Sequence, residues 1–226
     1  MTAAAIAALR AGAAVIVPNP PPLTHVVTGT VPAAVNTAKG RPAGQPVAVW
    51  ITTDAQWSEL AAALPLDHAA AELAHRLLVD ELVTLLVPVD ADRYPRWLAP
   101  AVHRGHALLF GARWAPLHDR LPDLGIRYVS SANRTGQPPV ADAAAARAAF
   151  GAAAPVLELP GTHSPVPRRA TTTLRIAADR TLTLTREGAQ DHPFGSPERY
   201  LDQLRHRYLR PTADAGRPGA YSVPSR

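Results

Sequence analysis

The sequence contains no cysteine, and it holds only one lysine, one methionine and three phenylalanines in 226 residues. Without cysteine the chain can form no disulfide framework, and it has no thiolate to serve as nucleophile or metal ligand. No stretch approaches the roughly 18 uncharged apolar residues of a membrane-spanning helix. The N-terminal residues lack the charged start and long apolar run of a secretory signal. We therefore expect a cytoplasmic protein that does not associate with membranes.

The length and charge of the chain limit its organisation and its partners. A chain of 226 residues is typical of one domain with a substantial core. The net charge of +5 favours binding of nucleotides, nucleic acid or other anions. The densest basic cluster is Arg205, Arg207 and Arg210, which is consistent with either a solvated helix face or an RNA-binding patch. Residues 1–210 are predicted to form the domain, and residues 211–226, rich in Pro, Gly and Ser, a flexible tail.

Apolar periodicity predicts alternating helices and strands. Helices are predicted over 2–10, 31–39, 54–63, 69–79, 94–103, 115–122, 142–152 and 196–209. Strands are predicted over 13–17, 46–51, 82–88, 106–110, 126–129 and 156–159. Polar and apolar residues alternate over 171–177 and 181–185, which predicts an antiparallel hairpin. Together these elements predict a single α/β (α+β) domain in which helices flank a twisted mixed β-sheet.

Two polar, turn-rich segments lie next to predicted strands, at 39–42 (Lys-Gly-Arg-Pro) and 130–136 (Ser-Ser-Ala-Asn-Arg-Thr-Gly). Hydroxyl and amide side chains and free backbone N–H groups in such turns can bind phosphate oxygens. Lys39 stands alone among 22 arginines, and its compact ammonium differs physically from a guanidinium fork. The two segments predict a clamp for a triphosphate or for the charge that develops in nucleotidyl transfer. The alternatives are a chance surface lysine and an ordinary turn with a helix cap.

The order of these motifs resembles that of the YrdC-like threonylcarbamoyl-adenylate synthase family. Lys-Gly-Arg-Pro precedes a strand, and Ser-Ala-Asn-x-Thr-Gly-x-Pro-Pro follows at 131–139. Leu-Val-Thr-Leu at 82–85, Thr-Thr-Thr-Leu at 171–174 and Arg-Glu-Gly at 186–188 resemble further family motifs in the same order. The resemblance extends over residues 5–190, and it implies a YrdC-like fold.

The resemblance also implies an activity. The family makes threonylcarbamoyl-AMP from threonine, bicarbonate and ATP and releases pyrophosphate, and the product serves tRNA modification. Lys39 and Arg41 are then the catalytic cations, which neutralise the phosphates and the attacking carbamate. The groups expected to bind the nucleotide or line its pocket are Ser131, Asn133, Thr172 and Arg186. Mg²⁺ is expected to enter with ATP, and no metal site on the protein is implied.

One segment departs from the family pattern. The family carries Pro-Thr-x-Thr-x-Tyr-Gly-Leu after its first strand, and this loop shapes the amino-acid pocket. Here residues 18–25 read Pro-Asn-Pro-Pro-Pro-Leu-Thr-His. His25 in this loop and Thr84 on the middle strand are the candidate substrate contacts, with an ordinary loop histidine as the alternative for His25. The phosphate-binding elements are thus retained better than those for threonine, and the acceptor substrate is left open.

Three hypotheses about function follow from these motifs. The first is a divergent enzyme that binds ATP and forms a carbamoyl adenylate from bicarbonate and an amino acid or a related acceptor. The second is a non-catalytic YrdC-like module that binds a nucleotide or RNA through its basic surface. The third is a transferase or hydrolase that uses a ready-made carbamoyl adenylate in secondary metabolism. The sequence does not discriminate among oligomeric states.

Overall fold

The computed structural model describes residues 2–91, 93–121 and 123–209, so the predicted tail at 211–226 lies outside the described residues. The described strands are β1 (Val15–Val17), β2 (Val26–Gly29), β3 (Ala48–Trp50), β4 (Thr84–Pro88), β5 (Val102–His103), β6 (His106–Phe110), β7 (Arg127–Ser131), β8 (Thr173–Ile176) and β9 (Leu182–Arg186). The described α-helices are α1 (Thr2–Arg10), α2 (Pro32–Lys39), α3 (Asp54–Ala61), α4 (His68–Val79), α5 (Ala115–His118), α6 (Ala143–Phe150) and α7 (Pro197–Tyr208). None of these helices has the length and apolar character needed to cross a membrane.

All the described strands belong to one mixed sheet. Its order is β1-β2-β7-β3-β6-β4-β8-β9, and β5 pairs with β6 outside this path. The pairs β3–β6 and β4–β8 are parallel, whereas the other pairs are antiparallel. The hairpin predicted from alternation is the antiparallel pair β8–β9. The predicted mixed sheet with flanking helices is therefore confirmed.

The two faces of the sheet carry separate apolar clusters, because successive side chains on a strand point to opposite faces. On β1, Ile16 packs in one cluster, while Val15 and Val17 pack in the other. The first cluster contains buried side chains from α2, α3, α4, α6 and α7. The second contains those of α1 and α5. Strands β1 and β3 are thus buried on both sides, which explains their short continuous apolar runs.

Local capping fixes where the helices begin and end. Asp67 accepts a 2.7 Å hydrogen bond from the Ala70 N–H at the start of α4, and Asp142 accepts one of 2.8 Å from the Ala145 N–H at the start of α6. Helix α2 ends at Gly40, whose φ of 70° is the left-handed conformation that glycine adopts most easily. This end places Lys39 in the last turn of α2 and sends the chain toward Arg41.

The sheet curls strongly, and backbone hydrogen bonds join its distant parts. The Thr24 N–H donates to the Arg169 carbonyl at 2.9 Å, and the Arg169 N–H donates to the Pro22 carbonyl at 2.9 Å. These bonds connect the segment before β2 to the segment before β8, although β7, β3, β6 and β4 lie between those strands. The second face of the sheet therefore becomes a concave surface closed by residues 18–25 and 168–172.

Several predicted elements differ from those observed, and proline explains two of the differences. Residues 156–159 form only a single bridge, from Val156 to Ile16, because the prolines at 155 and 160 lack N–H groups with which to extend the pairing. The predicted helix at 94–103 is a 3₁₀ helix at Arg96–Ala101, and Pro100 prevents a regular α-helix there. The helix predicted at 115–122 is described as the shorter α5. Strand β2 was missed because the proline-rich run before it predicted a longer loop.

Candidate functional site

A cavity of about 400 Å³ lies on the concave face of the sheet. Its apolar wall includes Val26, Ala48, Phe110 and Val129, which belong to the second core cluster. Its polar wall carries two guanidinium groups and several hydroxyls, contributed by Arg41, Arg186, Ser130, Ser131, Thr84, Thr171 and Thr173. The described residues that line the cavity include no aspartate or glutamate. A positively charged pocket with an apolar floor suits an organic anion such as a nucleotide.

Three of the predicted site residues contact one another next to this cavity, and of the three only Ser131 belongs to its lining. The Lys39 ammonium donates to the Ser131 carbonyl oxygen and, at 2.8 Å, to Oδ1 of Asn133. The Ser131 hydroxyl donates to the same Asn133 oxygen at 2.6 Å. Helix α2 supplies the lysine, and the end of β7 supplies the serine and the asparagine. The structure therefore brings the Lys-Gly-Arg and Ser-Ala-Asn motifs together.

The surroundings of Lys39 disfavour its charged form. The side chain is only 3% exposed, and its hydrogen-bond acceptors are neutral oxygens. Burial, together with the nearby Arg41 charge, lowers the Lys39 pKa to about 7. An anion bound beside this ammonium would favour the charged form, so the site couples anion binding to protonation.

Arg41 is positioned by Asn36 and lines the cavity itself. Its Nε donates to Asn36 Oδ1 at 2.5 Å, and its Nη2 lies 3.4 Å from the Ser130 hydroxyl. The Asn36 amide nitrogen in turn donates to the carbonyls of Ala43 and Gln45, each at 2.7 Å. Asn36 therefore fixes both the guanidinium and the loop after α2. Burial lowers the Arg41 pKa, but an arginine remains charged at neutral pH.

A second set of hydrogen-bonded polar side chains lies on the cavity wall, and its members come from β4, β9 and the segment before β8. The hydroxyls of Thr84 and Thr171 lie 2.6 Å apart. Arg186 Nη2 donates to the Thr171 carbonyl at 2.8 Å, and Arg186 itself is exposed at the cavity rim. Thr84 and Arg186, both predicted from the sequence, therefore lie in one hydrogen-bonded group with Thr171.

Besides Lys39 and Asn133, the predicted residues Thr172 and His25 also lie outside the cavity lining. Thr172 is fully buried, and its hydroxyl donates to Asp191 at 2.5 Å. Its neighbours Thr171 and Thr173 line the cavity instead, as strand alternation requires. His25 is 2% exposed and does not belong to the cavity wall. Burial, with a contribution from the Arg168 charge, lowers the His25 pKa to about 4, so the imidazole is neutral at pH 7.

Sequence reasoning missed five polar residues of the wall, namely Asn19, Thr24, Ser130, Thr171 and Thr173. Side chains alternate in direction along residues 171–174. Because Leu174 is expected to point into the core, this alternation could have identified Thr171 and Thr173 as residues of the other face. Asn19 follows a buried strand, but the prolines around it concealed its position. Ser130 directly precedes the Ser-Ala-Asn motif, and only its contact with Arg41 in the folded chain marks it as a residue of the wall.

The described residues contain no cluster of three His, Asp or Glu side chains that could hold a metal ion. Magnesium in proteins prefers carboxylate and phosphate oxygens. The described cavity wall has no carboxylate to offer such an ion, and entry of Mg²⁺ with a nucleotide stays a prediction from the sequence.

The basic cluster on α7 is partly neutralised. Arg205 donates to Asp202 at 2.7 Å, and Arg207 donates to Glu81 at 2.7 Å. Arg210 lies outside the described residues. These contacts do not favour an RNA-binding patch, and RNA binding stays a prediction from the sequence.

Comparison with known proteins finds similar three-dimensional structures but no match at the level of sequence. No known family model matches the sequence, and no curated protein matches it. A variant of Sua5 from P. abyssi has a TM-score of 0.63 at 19% identity and covers 83% of this chain. Full-length HypF in its phosphate- and nucleotide-bound form has a TM-score of 0.62 at 16% identity over 85% of this chain. YciO from E. coli has a TM-score of 0.59 at 15% identity over 84% of this chain.

The relatives differ in how much of their own length is matched. The chain spans 56% of Sua5 and 29% of HypF, but 90% of YciO. At these identities the similarity establishes the fold and not the activity. The chain therefore has the YrdC-like fold that its sequence motifs predicted.

Proposed function

We propose that this protein binds ATP in the concave cavity and transfers its adenylyl group to a carbamate, forming a carbamoyl adenylate. The observation that carries the proposal is the proximity of the Lys39–Ser131–Asn133 group and Arg41 to a cavity whose described lining residues include no carboxylate. Two structures of the same fold support it, since one Sua5 structure is a complex with L-threonine and one HypF structure is nucleotide-bound. A product such as threonylcarbamoyl-AMP fits this scheme, as does its use in tRNA modification.

The reaction proceeds by positioning and charge neutralisation. An amine and bicarbonate give a carbamate and water. A carbamate oxygen then attacks the α-phosphorus of ATP, the bond to the β-phosphate breaks, and pyrophosphate leaves. Arg41 neutralises the phosphates, and the Ser130 hydroxyl donates to their oxygens. Lys39 holds the Ser131–Asn133 turn and places a second positive charge next to it.

The remainder of the cavity accommodates the base and the acceptor. The apolar wall of Val26 and Phe110 suits the adenine ring or an apolar side chain. The Thr84–Thr171 pair with Arg186 suits a polar or anionic group of the acceptor. The chemistry requires no covalent nucleophile from the protein, which agrees with the absence of cysteine.

A pyrophosphate-release assay tests the proposal. The full chain is incubated with Mg²⁺-ATP, bicarbonate and a panel of amino acids that includes threonine. We expect release that requires both bicarbonate and an amine, is lost in Arg41→Ala and is retained in Arg199→Ala, which removes an exposed arginine of α7. Nucleotide binding without any release would favour the binding module, and release from a synthetic carbamoyl adenylate alone would favour the transferase or hydrolase. Failure to bind any nucleotide would refute the proposal.

A further inference from the structure

Helix α2 ends at the site, and the last four carbonyl groups of an α-helix have no partner within the helix. In α2 the carbonyls of residues 36 and 37 accept from the N–H groups of residues 40 and 41, which follow the helix. The carbonyls of Ala38 and Lys39 remain, and they need donors from another part of the chain.

The turn after β7 supplies these donors. Arg134 Nη1 donates to the Ala38 carbonyl at 3.0 Å. The N–H and the hydroxyl of Thr135 both donate to the Lys39 carbonyl, each at 3.3 Å. A positive charge is also favourable at this end of a helix, where the helix dipole is negative. The turn therefore caps α2.

The same turn accepts hydrogen bonds from the Lys39 side chain. The ammonium donates to Asn133 Oδ1 at 2.8 Å and to the Ser131 carbonyl. Asn133 Nδ2 donates to the carbonyls of Arg134, at 3.0 Å, and of Gln137, at 2.9 Å, which leaves its oxygen for the ammonium. The turn thus binds both the backbone and the side chain of the lysine, so a movement of the end of α2 away from the turn would also separate the ammonium from Asn133.

Arg134 joins this turn to a third element. Its Nε donates to the Ala149 carbonyl in the last turn of α6 at 3.1 Å, and its guanidinium carbon lies 5.4 Å from the centre of the Phe150 ring. The side chain is half-buried. One guanidinium fork therefore holds the ends of two helices, which the single nitrogen of a lysine could not reproduce.

We propose that Arg134 is a positioning residue for Lys39, and that it keeps the ammonium on Asn133 by joining the ends of α2 and α6 to the turn after β7. The inference goes beyond the proposed function, because it holds for any anion that binds beside Lys39. Without the guanidinium, water would replace the donor to the Ala38 carbonyl and would reach the ammonium. Burial, and after it the Arg41 charge, lower the Lys39 pKa, so hydration should return this pKa toward its ordinary value of 10.5.

The sequence supplies a specific probe for the test, because Lys39 is the only lysine. In the full chain, free of any purification tag and labelled with ¹³C at the lysine Cε, one NMR signal reports the protonation of Lys39. We expect its titration midpoint near pH 7 in wild type, and at least about one pH unit higher in Arg134→Met, which keeps an apolar side chain but removes the donors. Arg147→Met is the matched control, since it makes the same change at an exposed arginine of α6 that pairs with Glu158. Its midpoint should equal that of wild type.

Each outcome decides the inference. An unchanged midpoint in Arg134→Met, in a protein that still melts cooperatively, would show that Arg134 only caps the helices and would overturn its role toward Lys39. If this variant does not fold, Arg134→Gln replaces it, with a shift in the same direction expected. An equal shift in Arg147→Met would assign the effect to a general loosening of α6, and a wild-type midpoint near 10.5 would show that the ammonium is not held as described. Either result would also overturn the inference.

The titration separates this inference from the proposed function, because it requires no nucleotide and no turnover. A chain that binds no ATP but shows the expected shift in Arg134→Met would refute the proposed function and support the role of Arg134. A chain that releases pyrophosphate but shows no shift would do the opposite.

Discussion

The Lys39 ammonium and the Asn133 carboxamide oxygen lie 2.8 Å apart, joined by a hydrogen bond between α2 and the turn after β7. The lysine is 3% exposed, and no salt bridge to it occurs within the described ranges. A buried cation that is bonded only to neutral oxygens is costly to the fold. We interpret this unfavourable burial as a sign that the site is built to bind an anion.

The first prediction concerns stability against pH. The Lys39 pKa is about 7 in the folded chain and 10.5 in a model peptide, so the unfolded chain binds more protons between these values. The free energy of unfolding should therefore rise with pH from about 7 to 10.5 through this residue. The largest slope that one proton allows is about 1.4 kcal/mol per pH unit. Urea unfolding of wild type and Lys39→Met at a series of pH values measures it, and a difference between the two proteins that does not change with pH would contradict it.

The second prediction concerns ligand binding and pH. A nucleotide phosphate favours the charged form of Lys39, so ATP affinity should fall as pH rises above 7, by at most about tenfold per pH unit. Lys39→Arg carries a charge over the whole range, and its affinity should vary less with pH. Calorimetric titration at pH 6, 7, 8 and 9 provides the measurement. If both proteins show the same pH profile, titration of Lys39 is not coupled to the nucleotide.

The third prediction separates two adjacent threonines. Thr171→Val removes a hydroxyl from the cavity together with its buried hydrogen bond to Thr84, so it should weaken ligand binding as well as lower stability. Thr172→Val removes the buried hydrogen bond to Asp191 and should lower the free energy of unfolding by about 1–3 kcal/mol while sparing the ligand. Melting temperature and ATP affinity, measured on both variants, distinguish the two roles. If Thr172→Val weakened ATP binding and Thr171→Val did not, Thr172 would be the binding residue.

The fourth prediction concerns the packing behind the site. A Cβ at Gly188 would lie 2.3 Å from the Thr172 nitrogen and 2.5 Å from the Ala170 oxygen, both backbone atoms. Gly188→Ala should therefore destabilise the fold by about 1–3 kcal/mol, because backbone must move to admit the methyl group. Gly44→Ala is the matched control, since a Cβ there meets nothing within 4 Å. Urea unfolding of both variants measures the difference, and a Gly188→Ala protein as stable as the control would show that the backbone contact yields easily.

Some features of the sheet and of the site could be predicted from the sequence and others could not, for physical reasons. The grouping of Lys39, Arg41, Ser131 and Asn133 could be predicted because short motifs next to apolar strands show directly in the sequence, and their role stays a prediction. Thr172 was chosen from its motif, but the direction of a side chain depends on the register of β8 with β4, which is a tertiary property. The place of Asn19 in the cavity lining depends on its hydrogen bond to the Thr24 carbonyl and on the curl of the sheet, and no local pattern encodes either. Strand β2 was missed because the proline-rich run before it predicted a longer loop, although it pairs with the neighbouring β1 as well as with the distant β7.

Calorimetric titration of Mg²⁺-ATP into the full chain tests the central claim most directly. We predict binding at one site, with an affinity that Arg41→Ala lowers by at least about tenfold and Arg199→Ala leaves unchanged, since only the first arginine lines the cavity. No heat of binding in the wild-type chain, or equal affinity in Arg41→Ala and wild type, would contradict the assignment of the cavity as a nucleotide site.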